Sequence, residues 1–154
     1  MSTVNASPSQ RIESWSLPPA RFAEPMLAQR CTRLIEEVER CSAHPDVDGV
    51  HDLRVAIRRF SQALRIFAPM LNARAVKAVR RPLGEVMEAS SKVRDLDVGI
   101  ERLIDEGLPP EHAVLEQMRA ERRRGELALA GRLLLLKSEE PERNWPARLL
   151  TRTH

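Results

Sequence analysis

The chain has 154 residues, 42% apolar and 31% charged, enough for one domain with its own core and no need of disulfides or metal. Aromatic residues make up only 3%, with no Tyr, which argues against the stacking platforms that read single-stranded nucleic acid. The net charge of +3 is modest, but only Lys77, Lys92 and Lys137 among 25 basic residues are lysines, so arginine, whose planar fork suits paired phosphate or carboxylate oxygens, dominates.

Residues 1–19, with Pro8, Pro18 and Pro19, read as a flexible leader, and "MSTVNASPSQ" lacks the charged-then-apolar layout of a signal peptide. A first helix is expected from Pro25 to Ala43, with Leu27, Leu34, Ile35 and Val38 at helical spacing. Cys31 and Cys41 fall within it, about 15 Å apart along the axis and too far to bridge. Two unpaired thiols and no Cys/His ligand spacing point to a cytoplasmic protein without a metal or other cofactor. No apolar run approaches a bilayer span, so no membrane association is expected.

"HPDVDG" ends the first helix and offers capping aspartates to a second, which runs to about Leu71. A third begins near Ala73 and ends at Glu106, with Pro82 and Gly84 expected to interrupt or kink it. "GLPPE" then stops and restarts the chain before a fourth helix from Glu111 to Lys137. Residues 139–154 read as an irregular tail in which Trp145, Leu149 and Leu150 are able to dock on the body. No strand or hairpin pattern occurs. The expectation is an all-α four-helix bundle over residues 20–138.

The second helix carries the most informative stretch, "VHDLRVAIRRF" at 50–60. On a wheel of 100° per residue, Leu53, Ile57, Phe60, Leu64, Phe67 and Leu71 share one narrow arc, the core face. His51, Arg54, Arg58, Gln62 and Arg65 share the opposite arc, a stripe about 21 Å long, while Arg59 projects about 100° away from Arg58. The stripe contains no carboxylate, because Asp52 lies on another face. A solvated helix face usually alternates its charges, since like charges four apart repel. From His51 to Arg81 there are eight Lys or Arg against one acid. That imbalance favours something negative against the stripe, either a neighbouring helix or a ligand.

The third helix contains "KVRDLDV" at 92–98, with Val86, Ala89, Val93, Leu96, Ile100 and Leu103 marking its core face. Arg94 and Asp97 flank that face and are spaced to pair with each other. Alternatively, Asp97 positions a guanidinium or imidazole of the second helix. Structural ion pairing is at least as good a reading for Arg94, Asp95 and Asp97, whereas Lys92 is freer to contact a ligand. In the fourth helix "RAERRRGE" adds Arg119, Arg122, Arg123 and Arg124, of which Arg119 and Arg123 share a face as further basic contacts, although the neighbouring glutamates favour a solvated surface for this group.

A helix opening "VHDLRVAIRRF" followed by one with "VRDLDV" resembles the CHAD family of histidine-bearing α-helical domains, as do the spacing between them and the flanking "LRIFAPML". The resemblance covers residues 22–137. It implies an all-helical fold whose basic surface binds inorganic polyphosphate, often in proteins tied to polyphosphate granules. Residue by residue it carries His51, Arg54, Arg58 and Arg59 into the first motif and Arg94, Asp95 and Asp97 into the second. Arg65 and Lys92 join the predicted polyphosphate contacts from the reading of the residues alone. His51 has two open roles: touching phosphate as an imidazolium, or orienting an arginine.

Two departures stand out. Ser90-Ser91 replaces the family's Leu-Gly, and only one of the family's two related four-helix halves is present, since no second histidine-arginine helix follows His112. A half-domain, or a homodimer that rebuilds the two-bundle cleft, is therefore expected. No P-loop and no acid cluster suited to a catalytic magnesium is present, so the expectation is a binding protein and not an enzyme. A purely structural bundle with His51 as a helix-start histidine leaves the arginines spaced four apart unexplained, and two further rival readings remain. One is a histidine phosphotransfer module with His51 as phospho-acceptor, which "HDLR" permits but which does not need the arginines that follow. The other is non-specific binding of nucleic-acid phosphates, which the low aromatic content disfavours.

Overall fold

The computed structural model describes residues 20–150, so the expected leader, residues 1–19, lies outside the described residues. The described chain is all-helical, with no strand. After a single 3-10 turn at Ala20–Phe22 come α1 (Ala23–Ala43), α2 (Val47–Ile66), a second 3-10 turn at Ala68–Met70, α3 (Ala73–Asp105), α4 (Ala113–Ser138) and α5 (Pro141–Leu150). There are thus five helices among the described residues, one more than the sequence led us to expect.

The joints follow from local chemistry. Asp46 caps α2 by accepting a 2.7 Å hydrogen bond from the Gly49 amide, which satisfies one of the helix's orphan donors. Gly49 is obligatory in that turn, since a Cβ there would stand 2.4 Å from the His44 carbonyl oxygen. Asn72 caps α3 in the same way through the Ala75 amide at 3.0 Å. Gly107, at φ 99°, turns the chain out of α3, and the His112 imidazole accepts from the Val114 amide to start α4.

Two expectations are corrected here. Pro82 and Gly84 do not interrupt the third helix, which continues through them for 33 residues. Val79, Leu83 and Val86 are all buried around the proline, and this packing holds the helix together where the missing amide would weaken it. Residues 141–150 of the region expected to be an irregular tail instead fold as α5, and residues 151–154 lie outside the described residues. Pro141 sits at its first position, where the missing amide costs nothing. Trp145 and Leu149 are completely buried, which outweighs the helix-breaking tendency of Pro146.

The core lies between α1, α2 and α3, with Leu129, Leu133 and Leu136 of α4 and Trp145 and Leu149 of α5 packed into it. Leu27, Leu34 and Val38 of α1 meet Leu53, Phe60 and Leu64 of α2 and Leu83 and Val86 of α3. Trp145 stacks on Phe60 with ring centroids 5.9 Å apart and donates its indole N–H to Glu139. The Asn72 amide donates to the Leu149 carbonyl at 2.9 Å, fastening the end of α5 to the start of α3. Cys31 and Cys41 are free and buried, and burial pushes the Cys31 thiol up to about 12, so it stays protonated at neutral pH. No described helix is long and apolar enough to cross a membrane.

Because Trp145 is the largest fully buried side chain, Trp145→Ala should cost about 3–5 kcal/mol in urea unfolding. An unchanged unfolding midpoint would mean that α5 adds nothing to the core.

Candidate functional site

Helix α2 packs between α1 and α3, and this placement divides the basic stripe that looked continuous on the helical wheel. Arg54 turns toward α3. Its Nη1 donates to Ser91 Oγ at 2.7 Å, Ser90 Oγ at 3.0 Å and the Met87 carbonyl at 3.1 Å, while both serine hydroxyls donate to that same carbonyl. Ser90 is fully buried. The serine pair, a mere packing difference in the sequence, is therefore the socket of an arginine.

One terminal nitrogen anchors Arg54, and its Nε and Nη2 have no hydrogen-bond acceptor among the described residues. No carboxylate among the described residues pairs with it. Desolvation holds its pKa below the usual arginine value, and the charges of Arg58 and Arg94 push the same way against the opposing pull of Asp95. Half-buried, immobilised and surrounded by a net positive field, this guanidinium is poised for an anion.

Beside it, Arg58, Gln62 and Arg65 of α2 face Arg80, Gly84 and Met87 of α3 across an open groove of about 450 Å³. Among the described residues Arg58, Arg65 and Arg80 have no acid within ion-pair distance. His51 and Arg59 lie on the other flank of α2, where they line a groove of about 320 Å³ with Arg30 and Arg33 of α1. Glu37 and Asp52 of this second groove are already bound. Arg40 holds Asp52 at 2.8 Å, and Arg33 and Arg40 both reach the buried Glu37.

The second motif divides as well. Arg94 is half-buried and close enough to Arg54 to depress its pKa, and Asp95 faces the same guanidinium. Asp97 does neither of the things its spacing suggested. It is buried, and its two oxygens accept from Nε and Nη2 of Arg122 on α4. Arg122 also bonds Glu126 and the Pro45 carbonyl in the α1–α2 turn, with its side chain only 14% exposed. The expected Arg94–Asp97 pair is thus replaced by an interhelical one, and Arg122, grouped by sequence with a solvated surface, is a structural hub.

Neither groove receives the remaining candidates. Lys92 is exposed on α3 about 160° around the helix from Arg94. Arg119 donates to the Pro110 carbonyl at the start of α4, and Arg123 is exposed on the same helix. Sequence reasoning missed Arg30, Arg33 and Arg80 as groove residues. Arg80 carried a signal, since it falls in the acid-poor window after His51. Arg30 and Arg33 carried none, because α1 holds more acids than bases, Glu24, Glu36, Glu37 and Glu39 against Arg30, Arg33 and Arg40. No group of three or more metal-ligating side chains occurs among the described residues.

A helical body of this kind, with uncompensated arginines held on one central helix, defines a basic-faced α-helical domain. The chain belongs to the CHAD domain family, whose model matches residues 25–149. Comparisons with curated proteins and with solved structures gave no match.

Removing Arg122 leaves Asp97 buried without its counter-charge, so Arg122→Ala should cost about 3–5 kcal/mol in denaturant unfolding. The double variant Asp97→Leu/Arg122→Met should recover most of that loss, whereas equal losses would show that the charge pair is not the cause.

Proposed function

We propose that this CHAD domain is a non-enzymatic binding module for inorganic polyphosphate, with the basic face of α2 as its contact surface. The observation that carries the reading is Arg54. Its Nη1 is fixed by the Ser90–Ser91 socket, two of its nitrogens lack an acceptor among the described residues, and Arg58 and Arg94 make its surroundings more positive. An anion that replaces water there relieves both the desolvation and the repulsion. Arg58, Arg65 and Arg80 extend the surface beyond one phosphate, which suits a linear polyanion better than a compact nucleotide. His51, on the opposite flank of α2, contributes as a phosphate contact or by orienting its neighbours. Binding of this kind serves granule association or regulation of polyphosphate metabolism in a cytoplasmic setting.

Long-chain polyphosphate should bind at moderate salt, with affinity falling steeply as salt rises because each neutralised phosphate releases counterions. Arg54→Ala/Arg58→Ala should weaken it roughly tenfold or more, about 1.4 kcal/mol per factor of ten. Ser90→Ala/Ser91→Ala should weaken it less while all the arginines remain. Calorimetric titration decides the matter. Equal affinity for the arginine double variant and the parent would reduce the stripe to ordinary surface.

We further propose that one chain supplies half of the two-bundle architecture and that a second copy completes it. Supporting this, α4 leaves Leu127 and Leu134 exposed at 76% and 66%, seven residues apart on one face. Light scattering should report a dimer for the parent and a monomer for Leu127→Glu/Leu134→Glu. A monomeric parent would sink the pairing and leave the binding proposal to the titration.

A further inference from the structure

We infer that the groove between α1 and α2 is a second phosphate-type oxyanion site, so that a linear polyanion crosses over α2 instead of running along it. This rests on the polyphosphate reading above and adds a path and one residue of α1, Arg30, to it, with Arg33 held in its own ion pairs beside the groove.

The sequence neighbours Arg58 and Arg59 define the crossing. They project about 100° apart around α2, Arg58 into the α2–α3 groove and Arg59 into the α1–α2 groove. Arg59 also faces a shallower depression on α1 that again contains Arg30 and Arg33, so the basic surface continues outward from α2 across α1. Arg30 is half-buried and has no acidic partner among the described residues.

The acids of this groove do not neutralise it. Glu37 is occupied by Arg33 and Arg40, and Asp52 by Arg40, which leaves Arg30, Arg59 and the His51 imidazole uncommitted around a floor of Val55 and Ala56. A phosphate group in this position meets guanidinium donors from two helices, the convergence that a lone surface arginine lacks. The two grooves are separated by the width of one helix, roughly 10–12 Å with side chains, so only an extended chain occupies both.

The test is calorimetric titration of the full chain with long-chain polyphosphate and, separately, with tripolyphosphate across a range of salt. Arg30→Glu should weaken long-chain polyphosphate roughly fivefold or more and flatten its salt dependence, with tripolyphosphate changed less than about twofold. Arg30→Gln, which keeps length and helix propensity while removing the charge, should show a smaller loss in the same sense, and its thermal melt controls for folding. If Arg30→Glu leaves long-chain binding intact while Arg54→Ala/Arg58→Ala weakens it, the crossing is wrong and the α2–α3 site stands. If neither variant weakens it, both proposals fall. Equal losses for the two probes would place a single site at the α1–α2 groove and overturn the crossing.

Discussion

The buried pair between Arg122 and Asp97 sets the rotation of α3, and the candidate site depends on that rotation. Val79, Leu83, Val86, Ser90, Val93 and Asp97 are the buried residues of α3 and follow one line along it. Asp97 can lie on the inward line only because Arg122 meets both of its oxygens there, a charge otherwise too costly to bury. Ser90 is seven residues earlier, two turns along the same line, so the pairing that draws Asp97 inward also presents Ser90 to α2. Arg54 finds its socket as a consequence. Through the Pro45 carbonyl the same guanidinium holds the turn from which α2 starts.

The distribution of acids explains why the arginines of α2 remain available. Glu36, Glu37 and Asp52 are taken by Arg33 and Arg40, Glu85 by Arg81 and Arg132, and Glu126 by Arg122. Exposed pairs such as Arg81–Glu85 contribute little to stability, yet they remove carboxylates that would otherwise fold back onto the basic face. What remains around α2 is a set of guanidiniums without an ion-paired carboxylate among the described residues. Their mutual repulsion is tolerated because Leu53, Ile57, Phe60 and Leu64 bury the opposite face of the same helix.

Much of this was legible in the sequence, and the failures have physical reasons. The apolar arc of α2 reads directly from its period, and each of Leu53, Ile57, Phe60, Leu64, Phe67 and Leu71 is buried. The core face of α3 was placed too far round, because Ala89, Leu96 and Ile100 are apolar whereas the truly inward Ser90 and Asp97 are polar. A periodicity argument assigns polar residues to the outside, and only a partner distant in sequence, Arg54 or Arg122, reverses that. The fifth helix was hidden by its prolines, since nothing local shows that Trp145 will stack on Phe60. The stripe on α2 was visible, but its division between two grooves was not, because a wheel for one helix carries no knowledge of its neighbours.

That division changes what the "RR" pair at Arg58-Arg59 means. On an isolated helix two adjacent arginines project apart and do not cooperate on one ligand group. Between two flanking helices the same divergence delivers one guanidinium to each groove. The like-charged pair Arg54 and Arg58, four apart, works in the opposite sense and concentrates charge along one flank; desolvation lowers the pKa of Arg54, and the Arg58 charge adds to that lowering. An anion that binds there acts only on the folded protein, because the unfolded chain has no socket to hold Arg54. Under the proposed function, binding and folding would be linked, and a bound polyanion would relieve the repulsion built into free α2.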